Sequence, residues 1–179
     1  MRNDIERILV TKEELNTKVT EMGRKISEDY NGKDLLMVSV LKGSVIFMAD
    51  LMRAVTIPVT IDFMSVSSYG SGTKSTGVVK IIKDLDADIE GKDLLLVEDI
   101  LDSGNTLFYL RKMLMDRHPN SIKIATLLDK PERRTADIHA DYSGFQIPDK
   151  FVVGYGLDYD QKYRNFPEIG VLKPEIYTK

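Results

Sequence analysis

The chain of 179 residues contains no cysteine. That absence excludes a disulfide framework, a thiol nucleophile and any Cys-ligated zinc or iron–sulfur site. Histidine is nearly absent too, with only His118 and His139. No apolar run approaches the ~20 residues of a membrane span, and the opening MRNDIERILV is charged and lacks an apolar h-region. A secretory signal is therefore not expected, and the default expectation is a cytoplasmic protein with no membrane partner. No large excess of one charge is present: 25 basic against 28 acidic residues give a net charge of −3, which makes no general case for a nucleic-acid partner.

What is present is an ordinary globular balance, 42% hydrophobic and 30% charged, enough for one domain with a substantial core. No internal repeat or low-complexity tract is apparent. Residues 5–10 read as a short strand. Thr11 followed by Glu14 fits a capping box, and Leu15, Val19, Met22 and Ile26 recur at helical spacing, so 12–30 reads as an amphipathic helix ended by Asn31-Gly32. Strands are expected at 34–41, 57–63, 78–82, 94–98, 121–130 and 151–159, with helices over 45–55 and 108–118. Residues 65–77, rich in Ser, Gly and Thr, read as a long loop, functional or mobile. Apolar strands alternating with helices predict an α/β fold with a mostly parallel central sheet, its ligand at the carboxyl ends of the strands. The loops at 42–44, 99–106, 130 and 158 would share that edge. A single domain over 1–179 is expected, with a core of about 34–150 and a small hood lobe from about 1–10 and 150–179.

The stretch LLLVEDILDSGNTL, residues 94–107, carries the most chemistry. An apolar strand ends in Glu98, Asp99 and Asp102 and opens into Ser103-Gly104-Asn105-Thr106. Backbone N–H groups at a helix start favour a phosphate dianion, and Gly104 permits close approach or positive φ. The plainer alternative is that Ser103 or Thr106 only caps the helix. Three carboxylates within five residues repel one another unless sugar hydroxyls or hydrated Mg²⁺ compensate. The residues alone point to a phosphorylated sugar.

VEDILDSGNT resembles the 5-phosphoribosyl-1-pyrophosphate (PRPP) motif of type I phosphoribosyltransferases, and from about residue 4 to 175 the chain is similar to their bacterial hypoxanthine (6-oxopurine) branch. The resemblance implies that Glu98 and Asp99 hold the ribose hydroxyls, directly or through Mg²⁺, and that residues 102–106 wrap the 5′-phosphate. VLKGS (40–44) matches the pyrophosphate loop, with Lys42 and Gly43 offering backbone N–H groups across a peptide bond that is often cis. SSYGSGTKSTG (67–77) matches a lid whose Ser68 and Tyr69 close over pyrophosphate. Lys130 would donate to the purine 6-oxo group, which disfavours adenine. Phe151 would stack on the purine, the Val152 backbone would read its edge, and Asp158 would hold a second Mg²⁺ mainly through water. Arg164 would reach the pyrophosphate.

The implied reaction joins hypoxanthine or guanine to PRPP with Mg²⁺ as cofactor, giving IMP or GMP and pyrophosphate. Asp102 is the expected proton acceptor, at purine N7. His118 and His139 match no catalytic position and read as surface or structural. A homodimer or homotetramer is implied by analogy. The competing readings are a PRPP-binding regulator of RNA, which would need a basic face and not the set Lys130, Phe151 and Val152; a receiver domain, whose acid pair normally comes early in the chain; and a transferase preferring xanthine.

Overall fold

The computed structural model describes residues 1–68 and 79–178. In chain order the strands and helices are β1 (Ile5–Val10), α1 (Lys12–Asp29), β2 (Leu35–Leu41), α2 (Val45–Ala54), β3 (Thr60–Ser68), β4 (Val79–Lys83), β5 (Asp93–Leu101), α3 (Asn105–Met115), β6 (Ser121–Asp129), β7 (Tyr142–Gln146), β8 (Val152–Val153), β9 (Ile169–Leu172) and α4 (Pro174–Tyr177). The main sheet runs β4-β3-β2-β5-β6-β7. Its pairings are parallel except β3 with β4. A second, antiparallel sheet of order β1-β9-β8 joins the two ends of the chain.

The continuous apolar runs follow from this layering. Alternate residues of one strand face opposite sides. Leu35 and Met37 of β2 and Leu95 and Val97 of β5 pack with Leu15, Val19 and Ile26 of α1 and Phe47 of α2. Leu36 and Val38, with Leu94 and Leu96, turn to the other face and meet Leu107, Leu110 and Leu114 of α3. Both faces are covered, so neither register of the central strands can be polar. Each such side chain contributes roughly 1.5–3 kcal/mol on full burial. The capping box of α1 is complete: Glu14 N–H donates to Thr11 Oγ1 at 3.2 Å, and Thr11 N–H donates to the Glu14 carboxylate at 2.8 Å.

Several expected boundaries move. β5 runs to Leu101 rather than stopping at residue 98, because its ladder with β6 continues through Glu98↔Thr126, Ile100↔Leu128 and Leu101↔Asp129. The acid pair therefore lies inside the strand, where the ladder fixes its backbone. α3 starts at Asn105, not 108. β3 starts at Thr60 and takes in residues 65–68, which the Ser-rich composition assigns to a loop; the pairing Leu41↔Ser65 and the hairpin with β4 outweigh that local signal. Tyr69 and the rest of the expected lid through 77 lie outside the described residues.

Residues 151–159 are not one strand. Only Val152–Val153 is extended in the second sheet, and the chain then turns through Gly154 and Gly156 at φ +101° and +105°. β7 is an additional strand that the sequence reading lacks. Its segment YSGFQ carries weak apolar patterning, and its place is fixed by contact: a Cβ on Gly144 would collide with the Leu127 carbonyl of β6. His118 and His139 are exposed.

Candidate active site

The strand ends converge at the carboxyl edge of the main sheet. Beyond β5 the chain turns at Gly104, which has φ +83° and serves as the N-cap position of α3. No side chain caps that helix, so Ser103 and Thr106 are not spent as caps. The nearest approach is Asn105 N–H to Ser103 Oγ at 3.5 Å. A Cβ on Gly104 would strike Ile138 and crowd Arg134. The resulting cradle forms one wall of a cavity of about 250 Å³ whose lining includes Glu98, Asp102, Ser103, Gly104 and Thr106. A larger cavity of about 650 Å³ lies elsewhere, between α1 and α2, and contains none of these residues.

The acid pair sits beneath the β2–α2 loop. Asp99 is buried, and its Oδ1 accepts from Ile100 N–H at 2.8 Å. Gly43 lies directly against it: any Cβ there would collide with Asp99 Oδ2. Glu98 Oε2 is buried without a hydrogen-bond partner. Burial, then the charge of Asp99, holds the Glu98 carboxyl well above the usual carboxylate range. Burial also raises Asp99, offset in part by its contact with Glu98, the Ile100 N–H and the positive Arg164. An unpartnered buried acid of this kind costs stability unless a ligand supplies hydroxyls or a cation.

On the other side of Gly43 stands the segment after β8. A Cβ on Gly156 would collide with the Gly43 carbonyl. Arg164 donates to Gly156 O at 2.8 Å and pairs with Asp158 Oδ1 at 2.9 Å. Asp158 Oδ2 accepts from Gln161 N–H at 2.9 Å. Gln161 Oε1 accepts from Arg164 at 3.2 Å and from Lys42 Nζ at 3.5 Å. Lys42 thus meets Asp158 and Arg164, which lie far along the chain from it, around Gln161, which the sequence reading lacks. The cis peptide bond is Leu41–Lys42, one bond earlier than expected at Lys42–Gly43.

The third part lies at the end of β6. Lys130 is buried, 7% exposed, and its ammonium donates to the Lys150 carbonyl at 2.7 Å, with Asp149 at 3.7 Å. Phe151, next after Lys150, is 38% exposed, while Val152 is buried in the second sheet. Ser68 ends β3 at the same edge, and Tyr69 lies outside the described residues.

Two arginines that carry no sequence signature organise the loop that follows β5. Arg134 donates to the carbonyls of Asp102 (2.9 Å), Leu101 (3.0 Å) and Ile138 (2.9 Å) and pairs with Asp129. Arg133 Nε approaches Asp102 Oδ1 to 2.8 Å, and its Nη1 lies 3.3 Å from Asp149. The approach to Asp102 is poorly aligned for hydrogen bonding, so Oδ1 is charge-paired but accepts no hydrogen bond. The only sequence signal for either arginine was its place just after Lys130.

Among the described residues no three His, Cys, Asp or Glu side chains converge as a ready metal cage. The Glu98–Asp99 pair and Asp158 are instead two separate, all-oxygen part-spheres. The buried orphan Oε2 of Glu98 fits a hard cation or its hydroxyl-bearing ligand. Mg²⁺ normally takes few protein ligands and completes its shell with water and substrate oxygens, so these residues fit it.

Residues 9–160 match the family model described as the phosphoribosyl transferase domain. The chain is 54% identical over 179 residues to the bifunctional protein TilS/HprT of Listeria monocytogenes, covering all of this chain but 28% of that relative's length. It is also 54% identical to the hypoxanthine-guanine phosphoribosyltransferase of Streptococcus thermophilus, covering 100% of this chain and 99% of that one. A crystal structure of a hypoxanthine phosphoribosyltransferase from Staphylococcus aureus superposes with a TM-score of 0.98 at 53% identity, covering 100% of this chain and 97% of the other. The sheet order, the acid pair beside the loop 102–106 and these full-length matches agree: the chain belongs to the phosphoribosyl transferase domain family.

Proposed function

We propose that this chain transfers the 5-phosphoribosyl group of PRPP to N9 of hypoxanthine or guanine, giving IMP or GMP and pyrophosphate. The observation that carries the choice of acceptor is Lys130, a buried cation at the end of β6, one strand from the acid pair of β5. A buried donor there gains by meeting a 6-oxo group. The amino group of adenine would leave two donors facing each other, which is the kind of mismatch a polar site rejects strongly.

The remaining residues divide the work. The loop 102–106 holds the 5′-phosphate on its backbone N–H groups, and Glu98 and Asp99 hold the ribose hydroxyls. Lys42, Gly43, Ser68, Tyr69 and Arg164 bind the pyrophosphate. Glu98–Asp99 and Asp158 would hold Mg²⁺, which when bound supplies neutralising charge for the departing pyrophosphate. Phe151 stacks on the purine and the Val152 backbone reads its edge. As the C1′–O bond weakens, positive charge grows on the ribose. N9 attacks from the opposite face with inversion, and Asp102 takes the proton from N7. Much of the acceleration comes from orienting the two bound substrates.

The same proposal takes the main sheet as the catalytic core with the second sheet as its hood, and includes a homodimer or homotetramer in the cytoplasm. Initial rates with PRPP, Mg²⁺ and each of hypoxanthine, guanine, xanthine, adenine and uracil test it. Turnover is expected with hypoxanthine and guanine and little with adenine or uracil. No turnover of either 6-oxopurine would sink the reading.

A further inference from the structure

We infer that Tyr177, in the last turn of the chain, is a positioning residue for the purine and acts through Phe151. The inference rests on the reading of Phe151 as the purine's stacking surface. The Phe151 backbone is fixed, since its carbonyl accepts from Leu172 N–H at 2.9 Å. That bond does not fix the ring of this residue, which is 38% exposed as a whole. Two tyrosines do. Tyr177 stacks on Phe151 with centroids 4.8 Å apart and planes at 21°, and Tyr159 meets Phe151 edge-on at 5.7 Å and 86°. Tyr159 and Tyr177 also touch, at 6.5 Å.

The side on which Tyr177 lies gives the arrangement its meaning. Tyr177 packs with Ile5, Val153, Phe166 and Leu172, the apolar cluster of the second sheet. Lys130, which would meet the purine 6-oxo group, reaches Lys150 from the main sheet. Tyr177 therefore backs the face of Phe151 turned toward the second sheet and leaves the face toward the main sheet for the purine. The order would be Tyr177, Phe151, purine. Tyr177 arrives there through local turns: Pro174 opens α4, Ile176 N–H donates to Lys173 O at 3.0 Å, and Thr178 N–H donates to Pro174 O at 3.0 Å. A ring held parallel on one side presents a fixed plane on the other, so less rotamer freedom is lost when the base binds.

Steady-state kinetics of the full chain test this. Tyr177→Ala is expected to raise KM for hypoxanthine about three- to tenfold, the range that one aromatic pair supports, and to leave KM for PRPP unchanged. Tyr177→Phe is expected to restore the wild-type value, and in a Phe151→Leu background Tyr177→Ala is expected to add nothing. Should Tyr177→Ala fail to fold, Tyr177→Leu keeps apolar volume without the ring and carries the same expectation. An unchanged or lowered KM for hypoxanthine, or an equal rise for PRPP, overturns the inference. A wild-type chain with no 6-oxopurine turnover defeats the functional reading instead, before any variant is made.

Discussion

The two ends of β5 carry buried acids with opposite surroundings. At the amino end Asp93 is 6% exposed and its Oδ1 accepts from Asn120 Nδ2 at 2.8 Å and from Ser121 Oγ at 2.5 Å. Five residues along, Glu98 Oε2 is buried with no partner, beside a second acid. Two strands away, on β3, Asp62 repeats the satisfied pattern, accepting N–H bonds from Phe63 (2.7 Å), Asp86 (2.8 Å) and Ala87 (3.3 Å) with Lys83 at 3.6 Å. Asp93 and Asp62 hold the fold. Glu98 Oε2 is left unsatisfied, and it lies at the end that shares a cavity with Asp102, Ser103, Gly104 and Thr106. Unmet hydrogen-bonding capacity in a buried acid marks the place where a ligand completes the structure.

The largest effect that can break this contrast is on the carboxyl side. Asp102→Asn should retain PRPP binding while kcat falls about 10²- to 10⁴-fold, the usual worth of a positioned base. Unchanged kcat would remove Asp102 from proton transfer. At the opposite end, Asp93→Ala should leave kcat per folded enzyme intact and cost about 2 kcal/mol of stability, because the hydrogen bonds from Asn120 and Ser121 are lost. Urea unfolding beside an activity assay separates the two ends, and a loss of kcat in Asp93→Ala would erase the distinction.

Asp62 and Glu98 sharpen the contrast through pH. Burial pushes Asp62 up, but the three N–H donors and Lys83 outweigh it and its carboxyl lies below the usual range. Its stabilisation is therefore present above the unfolded-state value and lost as pH falls through the folded one. Asp62→Asn should cost about 1.5 kcal/mol at neutral pH, shrinking in acid. Glu98 has the opposite sign. Its raised value means that stability is fully present below the unfolded-state value and is lost as pH rises through the folded one. Glu98→Gln should gain about 1 kcal/mol at neutral pH, with no gain in acid, and weaken PRPP binding. Thermal melts from acid to neutral pH read both slopes, and parallel slopes in the two variants would refute the assignment.

Much of this site was legible along the chain because its parts are local. The acid pair, the phosphate loop and the start of α3 fall within residues 98–106, where backbone spacing alone brings acid, hydroxyl and N–H groups together. The α1 capping box was legible for the same reason. Lys42, Lys130, Phe151, Asp158 and Arg164 were found through segments that match the family, not through their own chemistry. β7 escaped because its place depends on Gly144 meeting Leu127 of β6, and the cis bond was assigned one residue late.

By itself the sequence determined the layered α/β fold and the grouping of acid, hydroxyl and glycine within residues 98–106, since apolar periodicity and short-range spacing are properties of the chain. The tertiary structure alone decided which acids are satisfied. Asn120 and Ser121 reach Asp93 from the start of β6, Arg133 reaches Asp102 from the β6–β7 segment, and Tyr177 reaches Phe151 from the far end of the chain. Burial and partnership are set by what packs nearby in space, and a carboxyl's chemistry depends on both.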